Sequence, residues 1–149
     1  MNDGIMVGGK RICHFGDLNT TPTNASVAIV DDEAKLRQAL GRLLRLHDFE
    51  VSDFESGDTF LETAEPDGFD CLLLDLHLPG SASGFGVLEA LRARRALTPV
   101  IMMTAFDEPG NDHRALRLGA SAYLLKPIDE DALLRAIRGA LDLDRSVGR

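Results

Sequence analysis

Residues 71–80 read Cys-Leu-Leu-Leu-Asp-Leu-His-Leu-Pro-Gly, and the apolar run at their start ends in an acid, Asp75. A similar run opens at residue 27, where Val-Ala-Ile-Val is followed by Asp31 and Asp32. Continuous apolar runs of this length are typical of strands buried on both faces of a parallel sheet. Two such strands, each followed by carboxylates, predict an α/β fold with acidic groups gathered at one edge of the sheet.

Three further segments extend the strand pattern along the chain. They are predicted at 51–54, 99–103 and 122–125. A stretch with apolar residues on one helical face follows each strand, so strands and helices alternate five times. Ser56 and Asp129 are predicted to cap helices, and Gly119 is predicted to end one. This alternation indicates a doubly wound parallel sheet with helices on both faces, joined by right-handed crossovers.

Composition limits the classes of function. The chain has 149 residues, which fits one domain, and its formal charge is −8. A negative surface repels phosphate backbones and anionic lipids, so we expect no direct nucleic-acid partner and no membrane partner. No apolar run approaches the roughly 20 residues that cross a bilayer. Cys13 and Cys71 lie in unlike contexts, which predicts no disulfide and a reducing, cytoplasmic location.

The apolar periodicity also divides the chain. Residues 1–26 carry Gly, Asn, Thr, Pro and Ser without a sustained period, and we expect a poorly ordered N-terminal extension there. Residues 27–143 are predicted to form the domain, and residues 144–149 a short C-terminal tail. A stand-alone domain without an output module of its own is the resulting expectation.

Polar residues fall where the predicted strands end. The positions are Asp31, Asp32, Asp75, Thr104 and Lys126. Ligands of open parallel sheets bind outside these strand ends. Three carboxylates placed together repel one another unless a cation lies among them, and oxygen-only ligands favour Mg²⁺ over Zn²⁺. A carboxylate, a divalent cation, an ammonium group and a hydroxyl group together suit phosphoryl transfer to the carboxylate.

Four motifs, in order, resemble the receiver domain of two-component response regulators. They are Val-Asp-Asp-Glu (30–33), Leu-Leu-Asp-Leu-His-Leu-Pro-Gly (73–80), Met-Thr-Ala (103–105) and Tyr-Leu-Leu-Lys-Pro (123–127). The resemblance covers Val27 to about Leu141. It implies a flavodoxin-like five-stranded parallel sheet of strand order 2-1-3-4-5.

The resemblance also implies a role for each matching residue. Asp75 is the expected phosphate acceptor, and Thr104 and Lys126 are the expected catalytic contacts to the phosphoryl group. The expected Mg²⁺ ligands, with Mn²⁺ as a substitute, are Asp31, Asp32, Asp75 and the backbone carbonyl of His77. Thr104 and Tyr123 match a switch pair, although a half-buried core tyrosine is an equally good interpretation of Tyr123. The bond before Pro127 is expected to be cis.

Three features depart from the family pattern. The segment 79–84 is one residue longer than the usual Pro-Gly-x-Asp-Gly and lacks its Asp. Phe106 is an aromatic residue where polar residues are frequent, and with His77 it is expected to flank the path of water and tune the phosphoryl lifetime. Glu108-Pro109-Gly110 predicts a short or mobile fourth helix. The basic residues at 92, 94 and 95 are predicted to form a solvated helix face.

The function that these features favour is a phosphoacceptor signalling switch rather than a turnover enzyme. The expected partners are a histidine kinase or histidine phosphotransfer protein, and a protein target on the face of helix 4, strand 5 and helix 5. A monomer or a weak phosphorylation-dependent dimer is expected. The alternatives are a phosphorelay intermediate, an interaction module that has lost phosphorylation, and a haloacid-dehalogenase-like phosphatase. The adjacent acids Asp31 and Asp32 lack the Asp-x-Asp spacing of that phosphatase.

Overall fold

The computed structural model describes residues 4–7, 10–13, 25–65 and 68–147, with side chains for 25–65 and 68–142. Seven strands are present in these residues: β1 (Gly4–Val7), β2 (Lys10–Cys13), β3 (Ser26–Val30), β4 (Glu50–Phe54), β5 (Cys71–Asp75), β6 (Val100–Thr104) and β7 (Ala122–Leu125). The helices of the same residues are α1 (Ala34–Leu46), α2 (Gly57–Thr63), α3 (Gly84–Ala93), α4 (Asn111–Arg117) and α5 (Glu130–Val147).

The five strands from β3 onward form one parallel sheet in the order β4-β3-β5-β6-β7. Numbered within this sheet, the order is 2-1-3-4-5, which confirms the predicted topology. β3 and β5 lie side by side with Val30 opposite Leu74, and β5 pairs with β6 so that Asp75 lies opposite Met103. The strand ends that carry the predicted polar residues therefore lie along one edge of the sheet.

The core has two layers, one on each face of the sheet. One cluster includes Ala28, Val30, Leu72 and Leu74, and the other includes the alternate residues of the same strands. Every residue of β5 and β6 is buried, as expected for strands covered on both faces. The edge strands β4 and β7 keep partly exposed side chains because each has only one neighbouring strand in the sheet.

Local capping confirms three of the predicted helix boundaries. Ser56 Oγ accepts a hydrogen bond from the Thr59 N–H at 3.0 Å, and Asp129 Oδ2 accepts one from the Ala132 N–H at 2.9 Å. Gly119 follows α4 with a φ of +93°, a conformation that side chains disfavour. The fourth helix is short, with seven residues, as the Glu-Pro-Gly sequence before it predicted.

The prediction of a solvated basic helix face is wrong for Arg92. Its guanidinium donates hydrogen bonds to the carbonyls of Ala96, Thr98, Leu118 and Gly119, at 2.8, 3.3, 3.2 and 3.0 Å respectively. Arg94 donates to the Leu61 carbonyl in the last turn of α2, at 3.2 Å. Both side chains thus place a positive charge at the C-terminus of a neighbouring helix, where unpaired carbonyls favour it. They connect α3 to α4 and to α2.

The N-terminal segment differs in part from the prediction. Gly4–Val7 and Lys10–Cys13 pair as an antiparallel two-stranded sheet, where no regular element was expected. In this register Ile5 is the partner of Ile12. The rest of the predicted extension, 1–3, 8–9 and 14–24, lies outside the described residues. Within the described chain, no helix is both long enough and apolar enough to span a bilayer.

Gly84 is the position where the fold tolerates a side chain least. A Cβ there would lie 2.4 Å from the Asp75 carbonyl oxygen and 2.6 Å from Leu76 Cα. Because backbone cannot move aside cheaply, Gly84→Ala should lower the free energy of unfolding by about 2–3 kcal/mol. Urea unfolding followed by circular dichroism measures this, since the chain has no Trp.

The matched control for this experiment is Gly139→Ala. Gly139 is an exposed residue of α5, and a Cβ built on it meets nothing within 4 Å. Alanine is the better helix former, so this variant should gain about 0.5–1 kcal/mol. Equal stability of the two variants would show that the backbone at Gly84 does not lie in close contact with the backbone of Asp75 and Leu76.

Candidate functional site

The acidic cluster lies where β3 and β5 end. Asp31 follows β3, and Asp75 is the last residue of β5, so the parallel pairing of these strands places the two side chains together. Asp32 completes the cluster, and one carboxylate oxygen from each of the three residues lies within 4.8 Å of the others. Asp31 and Asp75 are buried, whereas Asp32 is exposed. The cluster is therefore rooted in the core and open to solvent on one side.

Asp31 is fixed by bonds from three elements. Its Oδ1 accepts the N–H of Glu33 at 2.8 Å, and its Oδ2 accepts Lys126 Nζ at 2.8 Å. Its backbone carbonyl accepts Arg37 Nη1 at 2.7 Å, and its N–H donates to the Phe54 carbonyl at 3.1 Å. The first two bonds satisfy the buried carboxylate, which would otherwise be costly to hold inside the protein, and the other two fix the backbone of the same residue.

Asp75 is less well satisfied. Its Oδ1 accepts the His77 N–H at 3.3 Å and lies 3.5 Å from Lys126 Nζ. Burial raises the pKa of Asp75, and the negative charge of Asp31 raises it further, against the opposing effect of Lys126. For Lys126, burial lowers the pKa, but the bonds and charges of Asp31 and Asp75 outweigh burial, and the net change is a raised pKa. Lys126 is thus held as a cation between the two acids.

The charges of the cluster fit a divalent cation. Three carboxylates face one ammonium group, which leaves two negative charges in excess. The donor atoms are oxygens, the ligands that Mg²⁺ prefers, and the exposed Asp32 gives an ion access from solvent. The pKa of Asp75 is raised first by burial and then by the charge of Asp31, and a bound cation would oppose both effects. Asp31, Asp32 and Asp75 are therefore the residues that would hold the ion.

The Thr104 hydroxyl bonds to the loop that follows it. Thr104 is fully buried at the end of β6. Its Oγ1 accepts the Phe106 N–H and donates to the Phe106 carbonyl, each at 3.0 Å. The side chain lies on the strand next to Asp75. Because the hydroxyl has a single proton, it must give up its bond to the Phe106 carbonyl before it can donate to a phosphoryl group.

His77 and Phe106 meet above the strand ends. Their ring centroids lie 5.6 Å apart with the rings nearly perpendicular, and Phe106 is 66% exposed. The two residues belong to different loops, one after β5 and one after β6. His77 and Phe106, which are expected from the sequence to flank the path of water, are thus in contact with each other in the structure.

Tyr123 lies on β7 with its hydroxyl directed to the loop before α4. Its Oη donates to Asp107 Oδ1 at 3.1 Å, while its ring packs against the core. Burial, and then the hydrogen bond and charge of Asp107, raise the pKa of Tyr123 to about 12, so the phenol stays protonated at neutral pH. The Lys126–Pro127 peptide bond is cis, as the resemblance implied.

Sequence reasoning missed two features beside the site. Asp58, in the first turn of α2, accepts hydrogen bonds from the N–H and Oγ of Ser81. The one sequence signal for this contact was the absence of the usual Asp from the 79–84 loop, since it left the loop without an acid of its own. A groove of about 530 Å³ runs from Lys126 along α1 and the start of α5, with Leu36, Leu40 and Leu43 in its wall. In the sequence, the spacing of these leucines predicts only the buried face of a helix, so it does not indicate a groove.

Comparisons with known proteins agree on one family. The sequence profile of the response regulator receiver domain matches residues 27–138. The Sensory transduction protein RegX3 of Mycolicibacterium smegmatis is 43% identical over 116 residues, which are 78% of this chain and 50% of that protein. The Transcriptional regulatory protein FixJ of Azorhizobium caulinodans is 33% identical over 128 residues, 86% of this chain and 60% of that protein.

A solved structure agrees with the fold. The CheY-like response regulator receiver domain protein from Methanospirillum hungatei superposes with a TM-score of 0.77 at 27% identity, covering 83% of this chain and 98% of that one. The chain spans only about half to three fifths of the length of the two curated relatives.

Asp75 should destabilise the fold when it is ionised. Because the pKa of Asp75 is raised in the folded state, the folded protein holds this proton more tightly than the unfolded chain does. The resulting stabilisation is fully present below the ordinary pKa of 3.8 and is lost as pH rises through the folded pKa. Asp75→Asn should therefore raise the free energy of unfolding at pH 7 by ~1 kcal/mol, and the gain should shrink as pH falls toward 3.8. Urea unfolding at several pH values measures both effects.

Glu62→Gln is the control for this substitution, because it removes one exposed carboxylate from α2 by an isosteric change. It should leave stability within about 0.5 kcal/mol of the wild type at every pH. A stability loss in Asp75→Asn at pH 7 would mean that Lys126 and the His77 N–H already compensate the Asp75 charge.

Proposed function

The chain belongs to the response regulator receiver domain family of two-component signalling, and from this premise we propose that it is a phosphoacceptor switch acting through Asp75. The phosphoryl donor is a histidine kinase or a histidine phosphotransfer protein. The observation that carries the proposal is the placement of Asp75, buried at the end of a central strand with Lys126 and two further carboxylates around it. Asp31 is also buried beside Lys126, but both of its carboxylate oxygens are held at 2.8 Å, whereas the Asp75 carboxylate has only the longer contacts to the His77 N–H and Lys126, at 3.3 and 3.5 Å.

In the proposed reaction, a carboxylate oxygen of Asp75 attacks the phosphorus of a phosphohistidine. The O–P bond forms as the N–P bond breaks, and the electron pair of the broken bond stays on the imidazole nitrogen. Lys126 and, after it leaves Phe106, Thr104 donate to the phosphoryl oxygens, where negative charge accumulates. Mg²⁺, or Mn²⁺ in its place, supplies charge neutralisation when bound. Asp31, Asp32 and the His77 carbonyl complete its proposed protein ligands with Asp75.

The switch step follows from the bonds of Thr104. When its hydroxyl turns to the phosphoryl group, the bond that it donates to the Phe106 carbonyl is lost, and the bond that it accepts from the Phe106 N–H is strained, so the anchor of the loop before α4 weakens. That loop also carries Asp107, which holds Tyr123. We propose that Tyr123 moves inward as Asp107 is displaced, so that phosphorylation shifts a two-state equilibrium.

The surface that reports this change is proposed to be formed by α4, β7 and α5. Leu116 on α4 and Leu125 on β7 are 54% and 51% exposed, which gives a protein target or a second copy apolar area to cover. The proposal includes a monomer or a weak phosphorylation-dependent dimer, catalysis of its own phosphorylation and dephosphorylation only, and a cytoplasmic location. A phosphorelay intermediate uses the same chemistry and differs only in passing the phosphoryl group onward.

Acetyl phosphate with Mg²⁺ should phosphorylate the wild-type chain on Asp75. The product should be an acyl phosphate that hydroxylamine cleaves, and Asp75→Asn should not form it. Beryllofluoride with Mg²⁺ should shift amide resonances at α4, β7 and α5 in the wild type and leave them unchanged in Asp75→Asn. Mass spectrometry and two-dimensional NMR provide these measurements.

Asp53→Asn is the matched control, because it changes an exposed carboxylate at the neighbouring strand β4 that pairs with Arg37. It should be phosphorylated like the wild type. Binding of beryllofluoride without any acyl phosphate would favour the interaction module. An equal response of Asp75→Asn and the wild type would remove Asp75 from its proposed role.

Phe106→Glu should change the rate of dephosphorylation more than it changes stability. Phe106 is exposed and contacts His77, so a carboxylate there replaces an apolar cover with a group that can hold water. The decay rate should change by at least about threefold, equivalent to ~0.6 kcal/mol in the barrier. Leu46→Glu, at an exposed apolar residue at the end of α1, is the control. Equal decay rates in all three proteins would contradict the lifetime role.

A further inference from the structure

The loop between β5 and α3 directly follows the proposed phosphate acceptor. It is fixed at its start, where the Leu76 N–H donates to the Met103 carbonyl at 2.8 Å, and at its end, where the Gly84 N–H donates to the Leu76 carbonyl at 3.0 Å. Between these anchors lies His77, whose N–H donates to Asp75. The conformation of the loop therefore decides where the His77 backbone points.

The middle of this loop is held by an acid from another element. Asp58 Oδ2 accepts the Ser81 N–H at 3.1 Å, and Asp58 Oδ1 accepts the Ser81 hydroxyl at 2.8 Å. Bonds to an ionised carboxylate are stronger than bonds between neutral groups, and a two-point contact fixes orientation as well as distance. Within the described chain, these two hydrogen bonds hold the loop residues 78–82.

The backbone of the loop leaves room for the Asp58 carboxylate. Gly80 has a φ of +90°, and a Cβ on it would stand 2.7 Å from Asp58 Oδ2, so only glycine allows the carboxylate to approach. The preceding residue of α2, Gly57, is buried, and a Cβ there would lie 2.8 Å from the Ala82 carbonyl oxygen. Two successive residues at the start of α2 thus contact the loop closely.

The start of α2 is itself rigidly placed. Ser56 caps the helix through the Thr59 N–H, and Phe60 in the same turn is buried among the rings of Phe54 and Phe69. Asp58 is half-buried on this turn, so its carboxylate is presented to the loop from a fixed support. A side chain on a packed helix positions its partner more firmly than one on a mobile loop.

We infer that Asp58 is a positioning residue for the phosphorylation site. Its carboxylate clamps Ser81 and so holds the loop in the conformation that keeps the His77 N–H on Asp75 and the His77 carbonyl ready for the metal ion. The longer loop of this chain lacks an Asp of its own, and the acid reaches it from α2 instead. This inference rests on the proposed function, since it assigns Asp58 to the same site.

The first measurement uses the metal-free protein. In Asp58→Ala the loop loses both bonds, and amide hydrogen exchange at residues 77–81 should rise roughly tenfold while the strands keep their protection. Glu62→Ala is the control, because it removes an equal charge from an exposed position on the same helix without loop contact. It should leave exchange in the loop unchanged.

The second measurement is a Mg²⁺ titration followed by amide chemical shifts. The dissociation constant should rise about tenfold in Asp58→Ala, the order seen when a residue that orients a metal ligand is lost. Asp58→Asn keeps one acceptor oxygen and should fall between Asp58→Ala and the wild type. With acetyl phosphate, Asp58→Ala should need about tenfold more Mg²⁺ for half its maximal rate and reach the wild-type rate at saturation.

The outcomes separate the inference from the proposed function. If Asp75 is phosphorylated but Asp58→Ala binds Mg²⁺ as Glu62→Ala does, the inference is wrong and the proposed function stands. If Asp58→Ala weakens Mg²⁺ binding but Asp75 is never phosphorylated, the positioning role stands and the switch does not. Should Asp58→Ala fail to fold, Ser81→Ala decides: a raised dissociation constant supports the clamp, and an unchanged one overturns it.

Discussion

The excess of negative charge at the end of two central strands is the constraint on which the rest of the site depends. Parallel pairing of β3 and β5 places Asp31 and Asp75 side by side, and Asp32 adds a third carboxylate. Lys126 is the ammonium group bonded to this cluster in the described chain, at 2.8 Å from Asp31 and 3.5 Å from Asp75. The fold thus holds an excess of negative charge that a further cation could balance, and the buried hydrophobic strands supply the stability that makes this possible.

The loops around the cluster hold the remaining groups through local bonds that can be exchanged. Thr104 bonds to the Phe106 backbone, Tyr123 to Asp107, and the His77 N–H to Asp75. Each of these bonds is worth only about 1 kcal/mol net, because water or another partner replaces it when it breaks. A phosphoryl group that offers several strong acceptor oxygens can therefore redirect them without disturbing the two core layers. The sheet thus provides the rigid support, and the loop bonds provide the contacts that can be exchanged.

The sequence predicted the sheet and the charged edge because both follow from local pattern. Apolar runs ending in Asp31, Asp75 and Thr104 needed only the rule that parallel strands end at the same edge. Arg92 and Asp58 could not be found in this way. Each is a polar residue on a helix, which local pattern assigns to solvent. Their roles depend on partners distant along the chain: Ser81 lies 23 residues from Asp58, and the Leu118 carbonyl lies 26 residues from Arg92. The bonds between the Thr104 hydroxyl and the Phe106 backbone could not be predicted from local pattern either, because they depend on the rotamer of Thr104.

Lys126 lies between the two buried acids of the cluster and has its shorter contact with Asp31. A divalent ion held by Asp31 would share that carboxylate with the Lys126 ammonium group or displace it. Displacement would leave Asp75, on the other side of the ammonium group, as the remaining partner of Lys126. Because Asp75 has the longer contacts of the two buried acids, such an exchange would reduce the repulsion between the carboxylates and bring the lysine closer to the proposed acceptor. Asp31 is thus the one residue through which metal binding and the orientation of Lys126 would be coupled.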